Sequence, residues 1–139
     1  MPVNTQSADY VALFAALADR TRLRLLNLLG SREVCVCYLV EALGQSQAKI
    51  SRHLAYLRRS GVVAARREGK WMHYRVLAVD DKAARAILAA ARQSFALDPE
   101  MLADLSRMTT ACCAPEESGS LRTAPRPASS PSPVRRVSR

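Results

Sequence analysis

The chain has 139 residues, of which 49% are apolar but only two are Phe and one is Trp, so it can form one small domain whose core must come from Leu, Ala and Val, as in packed helices. No run approaches the roughly 20 apolar residues of a membrane span and no signal-like apolar region follows Met1, so a cytoplasmic location is expected, in which the four Cys stay reduced. Of the net charge of +9, residues 114–139 hold five Arg against two Glu, and residues 1–113 hold 16 basic against 10 acidic, which leaves the folding part at +6 and favours a polyanionic partner.

Four helices are predicted before one hairpin. Ser7 can cap a first helix in which Val11, Leu13, Phe14 and Leu17 recur at helical spacing. Asp19 caps a second, carrying Leu23, Leu26 and Leu29 and ended by Gly30. A short third helix runs from Val34 to Leu43 and stops at Gly44. Ser46 caps a fourth, to about Ser60, with Ile50, Leu54 and Leu57 as its inner stripe and Gly61 as its stop. The pattern then changes: residues 62–67 and 72–77 flank Glu68-Gly69-Lys70-Trp71, which reads as a β-hairpin with a Gly-containing turn. A further helix, rich in Ala and Leu, follows Asp80-Asp81 to about Ala96. Asp98 and Pro99 then open a last short helix to about Met108. From Ala114 the chain is mostly Pro, Ser, Arg and Thr, and is expected to be a disordered tail. The expected organisation is a folded domain at 1–97, a short helix with a vicinal Cys pair at 98–113, and a basic tail at 114–139.

Helix three, a tight Gly44 turn and helix four make a helix-turn-helix, whose second helix enters the DNA major groove. Its outward face would present Ser46, Gln47, Lys49, Ser51, Arg52 and His53, with Tyr56 beside them. Gln47 can bridge an adenine edge, Arg52 can fork onto a guanine, and Lys49 and Ser51 can hold phosphates. Arg66, Arg67, Lys70 and Arg75 put further cations on the hairpin, as a wing. A solvated basic surface or a protein-interaction module is the competing reading. Concentration of the cations on both the fourth helix and the hairpin favours DNA. The expected fold is mainly α with a β-hairpin wing, a winged helix-turn-helix.

These residues also carry a resemblance. Ala18-Asp19-Arg20-Thr21-Arg22-Leu23, Cys35-Val36-Cys37, Gln45-Ser46-Gln47 with Lys49-Ile50-Ser51-Arg52-His53-Leu54, and Glu68-Gly69-Lys70-Trp71 with His73-Tyr74-Arg75 together resemble the ArsR/SmtB family of metal-responsive repressors, over about residues 9–95. The resemblance implies a homodimer joined through its first and last core helices. Such dimers repress by binding a near-palindromic operator and let go when ligand binds. It also makes Cys35 and Cys37 the inducer site for trivalent arsenic or antimony, which favour three thiolates.

The third thiolate is not where arsenic-responsive members can carry it, because Val40 stands three residues after Cys37. The third ligand must come from elsewhere, be an exogenous thiol or be absent, and within the chain Cys112 and Cys113 are the only other candidates. On one regular helix Cys35 and Cys37 would lie about 200° apart, so joint chelation is expected to bend the start of the third helix and displace the fourth. Helix 81–96 has no His for the zinc site of the SmtB branch. Residues 1–34 have no Cys for a cadmium or lead site, and Tyr38 replaces the Asp common after the second Cys. A four-thiolate zinc site, methylated arsenic or thiol oxidation stay open as inducers, and Cys35 could simply be a small core residue. A thiol reductase using Cys112-Cys113 lacks a supporting base or phosphate cradle in the sequence, so an enzyme is not expected.

Overall fold

Polar caps fix where the helices start. The side chain of Asp19 accepts from the Arg22 N–H at 3.0 Å, Ser46 from Lys49 at 3.2 Å, Asp81 from Ala84 at 2.8 Å, and Asp98 from Glu100 and Met101 at 2.9 and 3.1 Å. Each takes up helix-terminal N–H groups that have no partner within the helix. The computed structural model describes residues 10–113, 121 and 123–127, with the Cys113 side chain excepted; Ser7 and most of the tail lie outside them. In chain order the elements are α1 (Tyr10–Leu17), α2 (Arg20–Leu29), β1 (Val34–Cys35), α3 (Val36–Leu43), α4 (Gln47–Arg59), β2 (Val63–Glu68), β3 (Trp71–Val76), α5 (Lys82–Phe95) and α6 (Pro99–Cys113).

Gly44 closes α3 in the left-handed region (φ 61°, ψ 29°), which turns the chain into α4 within three residues. Ile50, Leu54 and Leu57, one stripe of α4, are fully buried with Leu25, Leu26, Leu28 and Leu29 of α2 and Leu39 of α3. Strands β2 and β3 pair antiparallel from Val63↔Val76 to Glu68↔Trp71 across the two-residue turn Gly69-Lys70, with Gly69 at φ 58°.

Two elements differ from the sequence expectation. The third helix does not begin at Val34. Val34 and Cys35 are extended and pair with β3 (Val34↔Tyr74, Cys35↔His73), giving a three-stranded sheet in the order β1-β3-β2. The outer edge of β3 has backbone groups that need partners, and a β-branched Val beside Cys35 supplies them.

The last helix does not stop near Met108 but runs on to Cys113, and it is no appendage. Met101, Asp104, Met108 and Ala111, spaced three, four and three residues apart, are buried, and α6 packs on α2 and α3. Asp104, with no exposed surface, accepts from Arg24 Nε and Nη2 at 2.7 and 2.8 Å, and from Arg107. Arg107 Nε also donates to the Ala42 carbonyl at 2.8 Å, and Asn27 Nδ2 to the Met101 carbonyl at 2.9 Å. Leu121 and Ala124, expected in a tail that buries nothing, join the same core.

Candidate nucleic-acid interface and thiol site

Because Ile50, Leu54 and Leu57 turn inward, α4 turns its polar face out. Gln47, Lys49 and Arg52 are exposed and Ser51 is half-buried. The Ser46 hydroxyl is taken up as the cap of its own helix. His53 is half-buried, with Nδ1 3.6 Å from Asp19 Oδ1. Burial outweighs the pull of Asp19 and holds His53 below its ordinary pKa, so it is mostly neutral at pH 7. Asp19 is itself pushed up by burial, but the Arg22 N–H and the charges of His53 and Arg22 bring it below the usual value.

On the wing, Arg67, Lys70 and Arg75 are exposed, with the Lys70 ammonium 5.0 Å from the Trp71 ring centroid. Arg66 differs from its expected role as a free DNA cation. Its guanidinium meets Glu33 at 2.6 and 3.0 Å and Glu68 at 2.9 Å, so its charge is already offset. Two cations were not singled out by sequence reading. Arg22 and Arg59, with Arg52, His53 and Tyr56, line a cavity beside α4. Arg22 belongs to α2, and only the packing of α2 against α4 makes the five residues neighbours.

The thiol pair does not sit on one continuous helix. Cys35, fully buried, is the extended residue that precedes α3 (φ −67°, ψ 139°), while Cys37 is half-buried in its first turn. Cys35 and Cys37 therefore lack the shared helical geometry on which the expected bending of α3 by chelation rests. Burial, reinforced by Cys35, pushes the Cys37 thiol up to about 11. A thiol so protonated at neutral pH is no activated nucleophile.

Cys112 is brought to the same end of α3 by the direction of α6. Arg107 bonds to Ala42 near the C-terminus of α3, and Tyr38 near its N-terminus feels Cys112, so the two helices run antiparallel. The five residues from Arg107 to Cys112 rise about 7.5 Å, close to the length of α3 from Ala42 back to Cys37. Burial raises the Tyr38 pKa, and Cys112, Cys35 and Cys37 add to the rise against Arg126. The buried Tyr38 hydroxyl has no hydrogen-bond partner among the described residues. Cys35, Cys37 and Cys112 are all reduced, and among the described residues no three ligand groups are yet gathered tightly enough to hold a metal ion. Cys113 ends α6, with its side chain outside the described residues.

A helix-turn-helix followed by a β-hairpin, with the apolar stripe of α4 in the core and its polar face free, is a winged helix-turn-helix. The family model for bacterial regulatory proteins of the arsR family matches residues 19–65. The chain is 57% identical over 67 residues to the arsenical resistance operon repressor of Escherichia coli K12, a match covering 48% of this chain and 57% of that protein. It thus spans little more than half the length of that relative. Among solved structures, HlyU from Vibrio cholerae N16961 superposes with a TM-score of 0.57 at 31% identity, over 67% of this chain and 98% of HlyU. The AntR antimony-specific transcriptional repressor superposes with a TM-score of 0.52 at 33% identity, over 63% and 77% of the two chains. The chain belongs to the arsR family of bacterial regulatory proteins. Its named relatives are transcriptional regulators rather than enzymes.

Proposed function

We propose that the protein is a repressor that binds operator DNA as a homodimer through α4 and the wing, and releases it when trivalent arsenic or antimony is taken up by Cys35, Cys37 and Cys112. The observation that supports this reading is the packing of α6 on α3, with Arg107 bonded to the Ala42 carbonyl and the half-buried Cys112 five residues further along α6. The neighbouring Cys113 is a further donor. The relatives named for arsenical resistance and for antimony support the choice of metalloid.

Three thiols exchange with arsenous acid so that three As–S bonds replace three As–OH bonds and each thiol proton leaves in a water molecule. Protonated thiols such as Cys37 are therefore suitable reactants. Arg67, Lys70 and Arg75 supply phosphate contacts on the wing, while Gln47 and Arg52 reach base edges. Strand β1 gives the thiols a direct line to the wing. Cys35 pairs with His73, which pairs in turn with Arg66, and Glu33 at the head of β1 holds the Arg66 guanidinium. A shift of Cys35 toward a ligand moves the strand on which the wing is hung. For self-association, Tyr10, Val11 and Phe14 leave one side of α1 apolar and exposed, and Val11 is 80% exposed.

The test is fluorescence anisotropy of the reduced protein on duplex DNA from upstream of its own gene, titrated with arsenite, then zinc, then peroxide. Release by arsenite that is lost in Cys35→Ser, Cys37→Ser and Cys112→Ser supports the three-thiol site. Release that survives Cys112→Ser combined with Cys113→Ser refutes it in favour of two thiolates, and release by zinc or peroxide alone refutes the metalloid reading.

A further inference from the structure

The cavity beside α4 is lined by three Arg, two of which, Arg22 and Arg59, the proposed repressor mechanism leaves without a role. It has a volume of about 400 Å³ and is lined by Arg22, Arg52, His53, Ala55, Tyr56 and Arg59. Three guanidiniums meet there against a single nearby carboxylate, Asp19, which His53 and Arg22 share. The guanidiniums differ in how they are held. Arg22 is built in: its Nε and Nη2 donate to the carbonyls of Ala16 and Ala15 at 2.8 and 2.9 Å, and its side chain is only 12% exposed. Its guanidinium carbon sits over the Tyr56 ring, 4.1 Å from the centroid. Arg59 approaches the same ring at 5.9 Å. Arg52 and Arg59 are exposed, and neither has an ion pair among the described residues.

Seven residues separate Arg52 from Arg59, two turns of α4, so they lie on one stripe about 10.5 Å apart along the axis. That stripe adjoins the face expected to enter the major groove. Arg66 shows how the fold treats a cation it does not need for a ligand, by surrounding it with Glu33 and Glu68. Arg52 and Arg59 receive no such carboxylates among the described residues, and Arg22 has only the distant Asp19 at 3.9 Å. Like-charged guanidiniums concentrated on one aromatic ring are unfavourable unless an anion joins them, and a phosphate diester fits a guanidinium fork.

We infer that this cavity is a clamp for a backbone phosphate flanking the bases that α4 reads, with Arg59 as its contacting cation, Arg22 and Tyr56 as its rigid floor, and the base-reading Arg52 at its rim. The inference rests on the DNA-binding reading above and adds residues to it. Its ligand chemistry is a phosphate diester, and a small free polyphosphate is the rival source. Since Arg22 is anchored in the last carbonyls of α1, the clamp also ties the phosphate backbone to the helix that carries the exposed Tyr10, Val11 and Phe14 face.

The experiment measures affinity of the full chain for a labelled duplex of arbitrary sequence between about 50 and 200 mM salt, for wild type and Arg59→Gln. Arg59 is exposed, so the variant is expected to fold, and its circular dichroism and melting temperature verify that. The slope of log K against log salt should become shallower by about 0.9, the value of one phosphate contact, with the same loss on upstream and arbitrary duplexes. Tyr56→Leu, which takes away the floor, should reproduce the change, and Tyr56→Phe should not. An unchanged slope in Arg59→Gln with normal wild-type binding overturns the clamp alone. A wild type whose duplex binding is absent or indifferent to salt overturns the DNA reading beneath it. Loss confined to the upstream duplex makes Arg59 a base reader and also overturns the clamp. Inorganic pyrophosphate that perturbs the His53 and Tyr56 NMR signals while the DNA slope stays unchanged in Arg59→Gln assigns the cavity to a small ligand instead.

Discussion

Replacing Asp104 with Ala removes the carboxylate on which α2 and α6 converge. Asp104 has no exposed surface and Arg24 is 12% exposed, so the variant strands a largely buried guanidinium. Removing one partner of a buried ion pair costs about 3–5 kcal/mol. Arg24 retains Glu100 at 3.6 Å, and Arg107, 51% exposed, regains water, which places the loss at the lower end, about 3 kcal/mol. At about 4 °C per kcal/mol for a domain of this size, the melting temperature should fall by about 12 °C. Thermal unfolding followed by circular dichroism at one fixed protein concentration measures it, because association would otherwise shift the midpoint. The same variant should lose arsenite sensitivity before duplex affinity, since Asp104 helps hold α6, and so Cys112, against α2 and α3. A drop below about 3 °C would refute the reasoning and show that apolar packing alone docks α6.

Three further outcomes are expected. Native Cys37 should react with iodoacetamide far more slowly than the unfolded chain near pH 7, and the stabilisation from its raised pKa should be complete below pH 9 and fade as pH climbs toward about 11; native labelling as fast as unfolded near neutrality would contradict this. His53 lies below 6.5 in the fold, so the unfolded chain takes up its proton first, and full stability above pH 6.5 should decline as pH falls beneath it; His53→Gln should flatten melting curves compared over that range, and an unaltered decline would assign it to other groups. Tyr38→Phe deletes a buried hydroxyl that lacks a partner and should raise stability by about 1 kcal/mol in denaturant titrations, whereas a loss of that size would mean the hydroxyl is bonded through an internal water.

The helices of the reading head were legible because their caps and apolar spacing agree: Asp19, Ser46, Asp81 and Asp98 each cap the helix expected of them. Strand β1 was not, since two residues are too few to show an alternating period and its pairing is set by β3, some forty positions away. The end of α6 was misjudged for another reason. Thr109 and Thr110 are poor helix formers, yet their hydroxyls bond back to the carbonyls of Leu105 and Ser106 while Met108 and Ala111 are buried, so packing overrides propensity. At the site, helical phase alone placed Gln47, Lys49 and Arg52 outward, but not that Ser51 and His53 are half-buried or that Ser46 is taken up as a cap. The neutralisation of Arg66 by Glu33 and the meeting of Arg22 with Tyr56 are tertiary facts that no local pattern encodes.

The antiparallel return of α6 along α3 also sets an order of events during synthesis. Every residue of α1 to α4 and of the wing has been made once Val76 is added, but Cys112 comes 36 residues later. At roughly 5–20 residues per second, that is a delay of about 2–7 s. On the three-thiol proposal, a growing chain therefore owns its reading head for some seconds before it owns a complete off-switch. On that proposal, the last helix among the described residues to leave the ribosome is the one that would make the protein answerable to its inducer.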